Sequence, residues 1–131
     1  MAAILLDTTV LIDLLRGRPG AARRLRERAS VGDVACVCAI NVEEVTRGLR
    51  PAEQDVAGSL FEGLRIVPLG TAEGVRAGEW RRSFALRGQT LSQADCLIAA
   101  AAVTIGGHLA TGNPRDFPME ELTVTHWPVG D

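Results

Sequence analysis

Ala2-Ala3-Ile4-Leu5-Leu6-Asp7-Thr8 is a short apolar run closed by a carboxylate. Consecutive apolar residues without polar alternation are the pattern of a strand buried on both faces, as in a parallel sheet. Asp7 then falls at the carboxyl end of that strand, where open α/β sheets bind their ligands. A charge placed there is costly unless it is exposed, paired or bound to a cation. Asp is also a good N-cap for a helix starting at Thr8, but its place at a strand end favours a functional role.

The pattern repeats along the chain. Thr8 to Leu15 reads as a helix stopped by Gly17 and Pro19, and Gly20 to Ala29 as a second helix with Pro19 in its first turn. Val34 to Ala39 is the second strand. Asn41 opens a helix through Leu49, Pro51 breaks it, and Ala52 to Leu64 forms another. Arg65 to Leu69 is a third strand. Thr71 to Leu86 is a long helix with Val75, Ala77, Trp80, Phe84 and Leu86 on its candidate buried side, closed by Gly88. Ser92 caps an apolar helix from Asp95 to Ile105 that must be covered on several sides. His108 to Thr111 and Leu122 to Trp127 are the last strands. Strands alternating with helices imply an α/β fold, a mostly parallel central sheet of about five strands covered on both faces. The 131 residues suit one domain spanning 1–131.

Composition narrows the function. The longest apolar run, Cys96 to Val103, is far short of the ~20 residues that cross a bilayer, and the first apolar stretch is broken by Asp7 and Asp13 and lacks a basic n-region. The expected location is the cytoplasm, with no membrane contact. Cys36, Cys38 and Cys96 have neither disulfide-framework nor zinc spacing and read as core residues. All 14 basic residues are Arg, and Lys is absent. This excludes a P-loop NTPase, which needs its phosphate-binding Lys. It also excludes the haloacid-dehalogenase phosphatases and response-regulator receivers, whose families share an early strand ending in Asp but pair it with Lys.

Three further acids stand in segments that an open α/β sheet would bring together with Asp7: Glu44 in Val42-Glu43-Glu44-Val45, Asp95 after Ser92-Gln93-Ala94, and Asp116 after Asn113-Pro114-Arg115. Each has a bland reading as well. Asn41-Val42-Glu43-Glu44 and Ser92-Gln93-Ala94-Asp95 are both capping-box patterns, and Asp116 can be a turn residue. The helical wheel puts Glu43 and Glu44 both well off the Val42, Val45, Leu49 stripe, although Glu44 shares a stripe with Gly48, where a ligand could approach. Between the two the residues leave the choice open. Gathered carboxylates repel one another and resist desolvation, so a hard divalent cation is the expected counter-ion and metal-assisted phosphodiester hydrolysis the expected chemistry.

Taken in order, Asp7-Thr8, Glu44-Val45-x-x-Gly48, Asp95-x-x-Ile98-Ala99-Ala100 and Thr111-x-Asn113-x-x-Asp116-Phe117 resemble the successive motifs of the PIN-domain family, specifically its small VapC-type toxins of bacterial toxin–antitoxin pairs. The match spans nearly the whole chain. The resemblance implies a PIN-like three-layer α/β/α sandwich and a Mg²⁺- or Mn²⁺-dependent endoribonuclease acting on an RNA substrate. It also implies a homodimer and a cognate antitoxin whose C-terminal segment lies over the active site. It selects Glu44 over Glu43. Asp7, Glu44 and Asp95 are then expected to hold the principal ion, with Asp116 holding a second ion or orienting water, and Thr8, Thr111 and Asn113 supplying hydrogen bonds. Members place their fourth acid variously, and Asn113 stands where some carry Asp. The alternatives are a PIN-type RNA-processing nuclease with no antitoxin, or an idle metal- or RNA-binding module.

Arg16 to Arg28 holds six arginines and one acid, Glu27. Such a run can guide an RNA backbone, but a solvated helix face is the commoner meaning. His108 and His126 have no spacing partner and are expected to be structural.

Overall fold

The computed structural model describes residues 2–131. Five strands, β1 (Ala3–Leu6), β2 (Val34–Cys38), β3 (Arg65–Val67), β4 (His108–Thr111) and β5 (Thr123–His126), form one all-parallel sheet in the order β3-β2-β1-β4-β5. Six helices cover it: α1 (Thr8–Leu15), α2 (Pro19–Ser30), α3 (Ala39–Arg47), α4 (Gln54–Glu62), α5 (Thr71–Leu86) and α6 (Gln93–Thr104). The pairing register is Leu5 to Cys36 on one side of β1 and Leu5 to Leu109 on the other.

Alternation along β1 divides the core in two. Leu5 joins Cys36, Cys38, Trp80, Phe84 and Ile98 in the layer beneath α5 and α6. Ile4 and Leu6 join Val10, Leu11, Val37 and Val45 in the layer beneath α1 and α3. All three thiols are buried, as small apolar residues that need no bond. The helix expected to be covered on several sides is so: Cys96 and Ile98 to Ala102 are buried.

Some boundaries differ from expectation. The third helix begins at Ala39, so Asn41 sits inside its first turn, where its Oδ1 accepts the Cys38 N–H at 2.9 Å. The capping box therefore closes on Cys38 and Asn41, and Glu44 takes no part in it. A 3₁₀ turn at Pro51–Glu53 precedes α4. Ala77, Trp80 and Phe84 of α5 are buried, but Val75 is 54% exposed and Leu86 85% exposed. At about 100° per residue, positions 77, 80 and 84 share one narrow stripe, whereas 75 and 86 fall nearly opposite position 77, on the side the sheet does not cover.

The strand order positions the site. From β1 the chain builds outward through β2 to β3, then crosses back to place β4 on the other side of β1. The carboxyl ends of β1 and β4 thus flank the topological switch point of the sheet. The segments after them begin with Asp7 and Gly112.

Candidate metal centre

Asp7 ends β1 and caps α1. Its Oδ1 accepts the Thr8 N–H at 2.8 Å, and its Oδ2 accepts the Thr111 hydroxyl at 2.7 Å and the Thr9 hydroxyl at 3.3 Å. The capping and site positions coincide. Burial pushes the Asp7 carboxyl above the usual carboxylate range, the bonds from Thr111, Thr8 and Thr9 pull it back, and the charge on Glu44 raises it again.

Glu44 projects from α3 toward the start of α1. The Thr8 hydroxyl donates to its Oε1 at 2.6 Å, and that hydroxyl in turn accepts from Asn41 Nδ2 at 3.2 Å. Glu43 turns the other way, with Oε2 3.8 Å from Arg47 Nη1 on the exposed face. A Cβ at Gly48 would meet nothing nearer than the Glu44 carbonyl at 3.8 Å, so no packing in the protein requires glycine there.

Asp95 lies in the first turn of α6, its backbone N–H donated to Ser92 Oγ at 3.0 Å. Its carboxyl is pushed up to about 6, first by burial and then by the charges on Asp116, Asp7 and Glu44, against the Ser92 bond that lowers it. That is the signature of acids gathered from four separate segments. Asp116 sits exposed in the 3₁₀ turn Pro114–Asp116 after β4. Asn113, in the same loop, donates its backbone N–H to Thr111 Oγ1 at 3.0 Å.

Among the described residues, none of these four acids is in an ion pair, whereas Glu27, Asp33, Glu43, Glu53, Glu121 and Asp131 all are. No three Asp, Glu, His or Cys side chains among the described residues stand in ligating positions around one point. The fit to a cation therefore rests on the donors: all are oxygen, which suits Mg²⁺ or Mn²⁺ over a thiolate-seeking metal. Their mutual repulsion has no cationic side chain to offset it.

Two supporting residues escaped the sequence reading. Thr9 donates to Asp7 and accepts the Gly112 N–H at 2.9 Å, tying the loop after β4 to the acid after β1. A Cβ at Gly112 would meet Cγ2 of the exposed Val129 and come within 3.2 Å of Thr9 Oγ1, so a larger residue there would have to turn Val129 aside. Asn41, fully buried, joins the α3 cap to Thr8. The doubled hydroxyls Thr8-Thr9 and the polar Asn41 set between Ile40 and Val42 were the available signals.

The arginine run behaves as a surface. Arg16 pairs with Glu53 at 3.9 Å, Arg23 with Glu27 at 3.7 Å, Arg24 with Asp131 at 2.9 Å and Arg28 with Asp33 at 3.0 Å. Asp33 also accepts the Ala2 N–H, and Arg28 lines a cavity with Ile4 and Val34, so the end of α2 lies at the amino edge of the sheet, away from the acids.

The model of the PIN domain family matches residues 4–119. Ribonuclease VapC19 of Mycobacterium tuberculosis is 32% identical over 116 residues, covering 88% of this chain and 92% of that protein. Ribonuclease VapC10 of the same species is 33% identical over 118 residues, covering 90% and 88%. Among solved structures, the DNA-bound VapBC of Salmonella typhimurium superposes with a TM-score of 0.84 at 23% identity, over 97% of this chain and 99% of that one. VapBC2 of Rickettsia felis bound to a promoter DNA fragment gives 0.83 at 18% identity, over 95% and 98%. At these identities the structural likeness speaks for the fold.

Proposed function

Because the chain belongs to the PIN-domain family, we propose that it is a metal-dependent endoribonuclease, the toxin of a toxin–antitoxin pair, cleaving RNA phosphodiester bonds in the cytoplasm. The observation that carries this reading is the set of four acids without ion pairs at the switch point, in a chain 32% identical to a protein named as a VapC ribonuclease. Asp7, Glu44 and Asp95 would hold Mg²⁺ or Mn²⁺, and Asp116 would hold a second ion or orient the attacking water. The bound cation supplies phosphate polarisation, a water nucleophile at neutral pH and charge neutralisation at the leaving oxygen.

The chain's own residues prepare that chemistry. Thr111 and Thr9 hold one oxygen of Asp7, and Thr8 N–H the other, so the carboxylate is oriented before any ligand arrives. Thr8, itself held by Asn41, orients Glu44. Burial and the neighbouring acids raise the proton affinity of Asp7 and Asp95, which is the cost of gathering these carboxylates without a cation.

The proposed partners are a VapB-like antitoxin and a second copy of this chain. A protein partner is supported by an apolar groove of about 820 Å³ between α3, α4 and β3, lined by Val42, Phe61 and Ile66. The test is direct: purified protein free of antitoxin should cleave RNA with Mg²⁺ or Mn²⁺ and stop in EDTA, and its expression should arrest growth unless a small DNA-binding protein encoded beside it is co-expressed. Undiminished cleavage in chelator would remove the metal mechanism.

A further inference from the structure

His126, expected to be structural, ends β5 in register with Thr111, and the next residue's N–H bonds the Thr111 carbonyl at 2.9 Å. It is therefore one strand removed from the residue that holds Asp7, and it is exposed. With Gly112, Asn113, Pro114, Arg115 and Asp116 it lines a cavity of about 440 Å³. Small-ligand sites run from about 300 to 1,000 Å³, so the space suits one nucleotide. Among the described residues, the side chains of Asn113, Arg115 and His126 make no hydrogen bond or ion pair, so three planar nitrogen-bearing groups face this space without internal partners.

Electrostatics gives the cavity a further meaning. An acid cluster repels the RNA backbone, and α2 has three of its four arginines paired with Glu27, Asp131 and Asp33 and ends at the opposite edge of the sheet. Arg115 is a cation without an ion pair in the same loop as Asp116. Unpaired RNA bases are recognised by stacking on His or aromatic rings and by hydrogen bonds to their edges, and a guanidinium suits a phosphate.

We infer that the cavity between the loop after β4 and the end of β5 is a subsite for one unpaired ribonucleotide adjoining the scissile phosphate. His126 stacks on its base, Arg115 contacts its phosphate and Asn113 reads its edge. This deepens the ribonuclease reading and rests on it.

The test uses full-length protein and a fluorescein-labelled single-stranded oligoribonucleotide. Binding is measured by anisotropy on an Asp7→Asn background without divalent metal, and cleavage on the otherwise unaltered chain with Mn²⁺. His126→Ala should weaken binding about tenfold while His126→Phe restores it, as base stacking requires. Arg115→Ala should weaken binding and lower the slope of log affinity against log salt by about 0.7, the share of one phosphate contact on a single strand. Both Ala variants should raise KM more than they lower kcat, and Arg26→Ala, on exposed α2, should change neither. If the parent cleaves RNA but both Ala variants keep its affinity and KM, the subsite is wrong and the ribonuclease reading stands. If the parent binds RNA without cleaving it while the variants lose binding, the subsite stands and the ribonuclease reading fails. Equal loss with His126→Phe and His126→Ala would overturn the stacking role.

Discussion

The Thr8 hydroxyl donates to Glu44 Oε1 at 2.6 Å, while Glu43, one residue earlier, reaches Arg47 on the exposed face of the helix at 3.8 Å. Two adjacent identical side chains are thus assigned different surroundings by the helical rotation of about 100° per residue. One is held by a residue next to Asp7. The other is an exposed ion pair worth little to stability.

Glu44→Gln should therefore lower the RNA cleavage rate by more than about 100-fold, beyond what loss of an outer partner of a metal ligand costs. Glu43→Gln should leave most of it. Initial rates on one RNA substrate decide, and equal losses would show that the two roles are misassigned.

The Asp95 carboxyl is raised from 3.8 to about 6 in the folded protein, so the folded state binds its proton more tightly than the unfolded chain does. The associated stability is present below pH about 4 and is lost as pH rises through about 6. Melting of metal-free protein should accordingly fall across that interval. Asp95→Asn should flatten the fall, preserve or raise the melting temperature near neutral pH, and abolish cleavage. A markedly lower melting temperature with cleavage spared would mean that capping at Ser92 is the residue's main role.

Mg²⁺ or Mn²⁺ should reverse the same penalty. Saturating metal at about 100 times its dissociation constant stabilises by about 2.7 kcal/mol, which a thermal melt resolves. The gain should vanish in Asp7→Asn. An unchanged melting temperature in the parent at every metal concentration would count against the four acids as a cation site.

Thr9→Val keeps the shape of the side chain but removes both the donor to Asp7 and the acceptor for the Gly112 N–H. Leaving that part-buried N–H unpaired should cost about 1–3 kcal/mol, and the loosened Asp7 about 10–100-fold in rate. Thr9→Ser should restore both. If Thr9→Val melts lower but cleaves normally, Thr9 ties the loop without positioning the acid.

How much of this is legible in the residues alone differs from position to position. Local solvation rules suffice for the buried strand Ala3–Leu6 ending at Asp7, because an apolar run closed by a charge has few alternatives. Local backbone rules likewise suffice for the helix-stopping turn at Gly88, whose φ of 81° favours a residue without a side chain. The wheel could not separate Glu43 from Glu44, since the neighbour that distinguishes them, Thr8, is 36 residues away.

By itself, then, the chain determined its alternating strands and helices, its Lys-free chemistry and the four motifs carrying Asp7, Glu44, Asp95 and Asp116. Only the tertiary structure decided that β4 lies beside β1, that Thr9 joins Asp7 to Gly112, that Arg28 ends up at the amino edge of the sheet, and that His126 borders the Asp116 loop. The reason is physical: propensity and periodicity act over one or two turns of chain, whereas strand order and side-chain neighbours across about 100 residues are chosen by which packing buries both faces of the sheet at once.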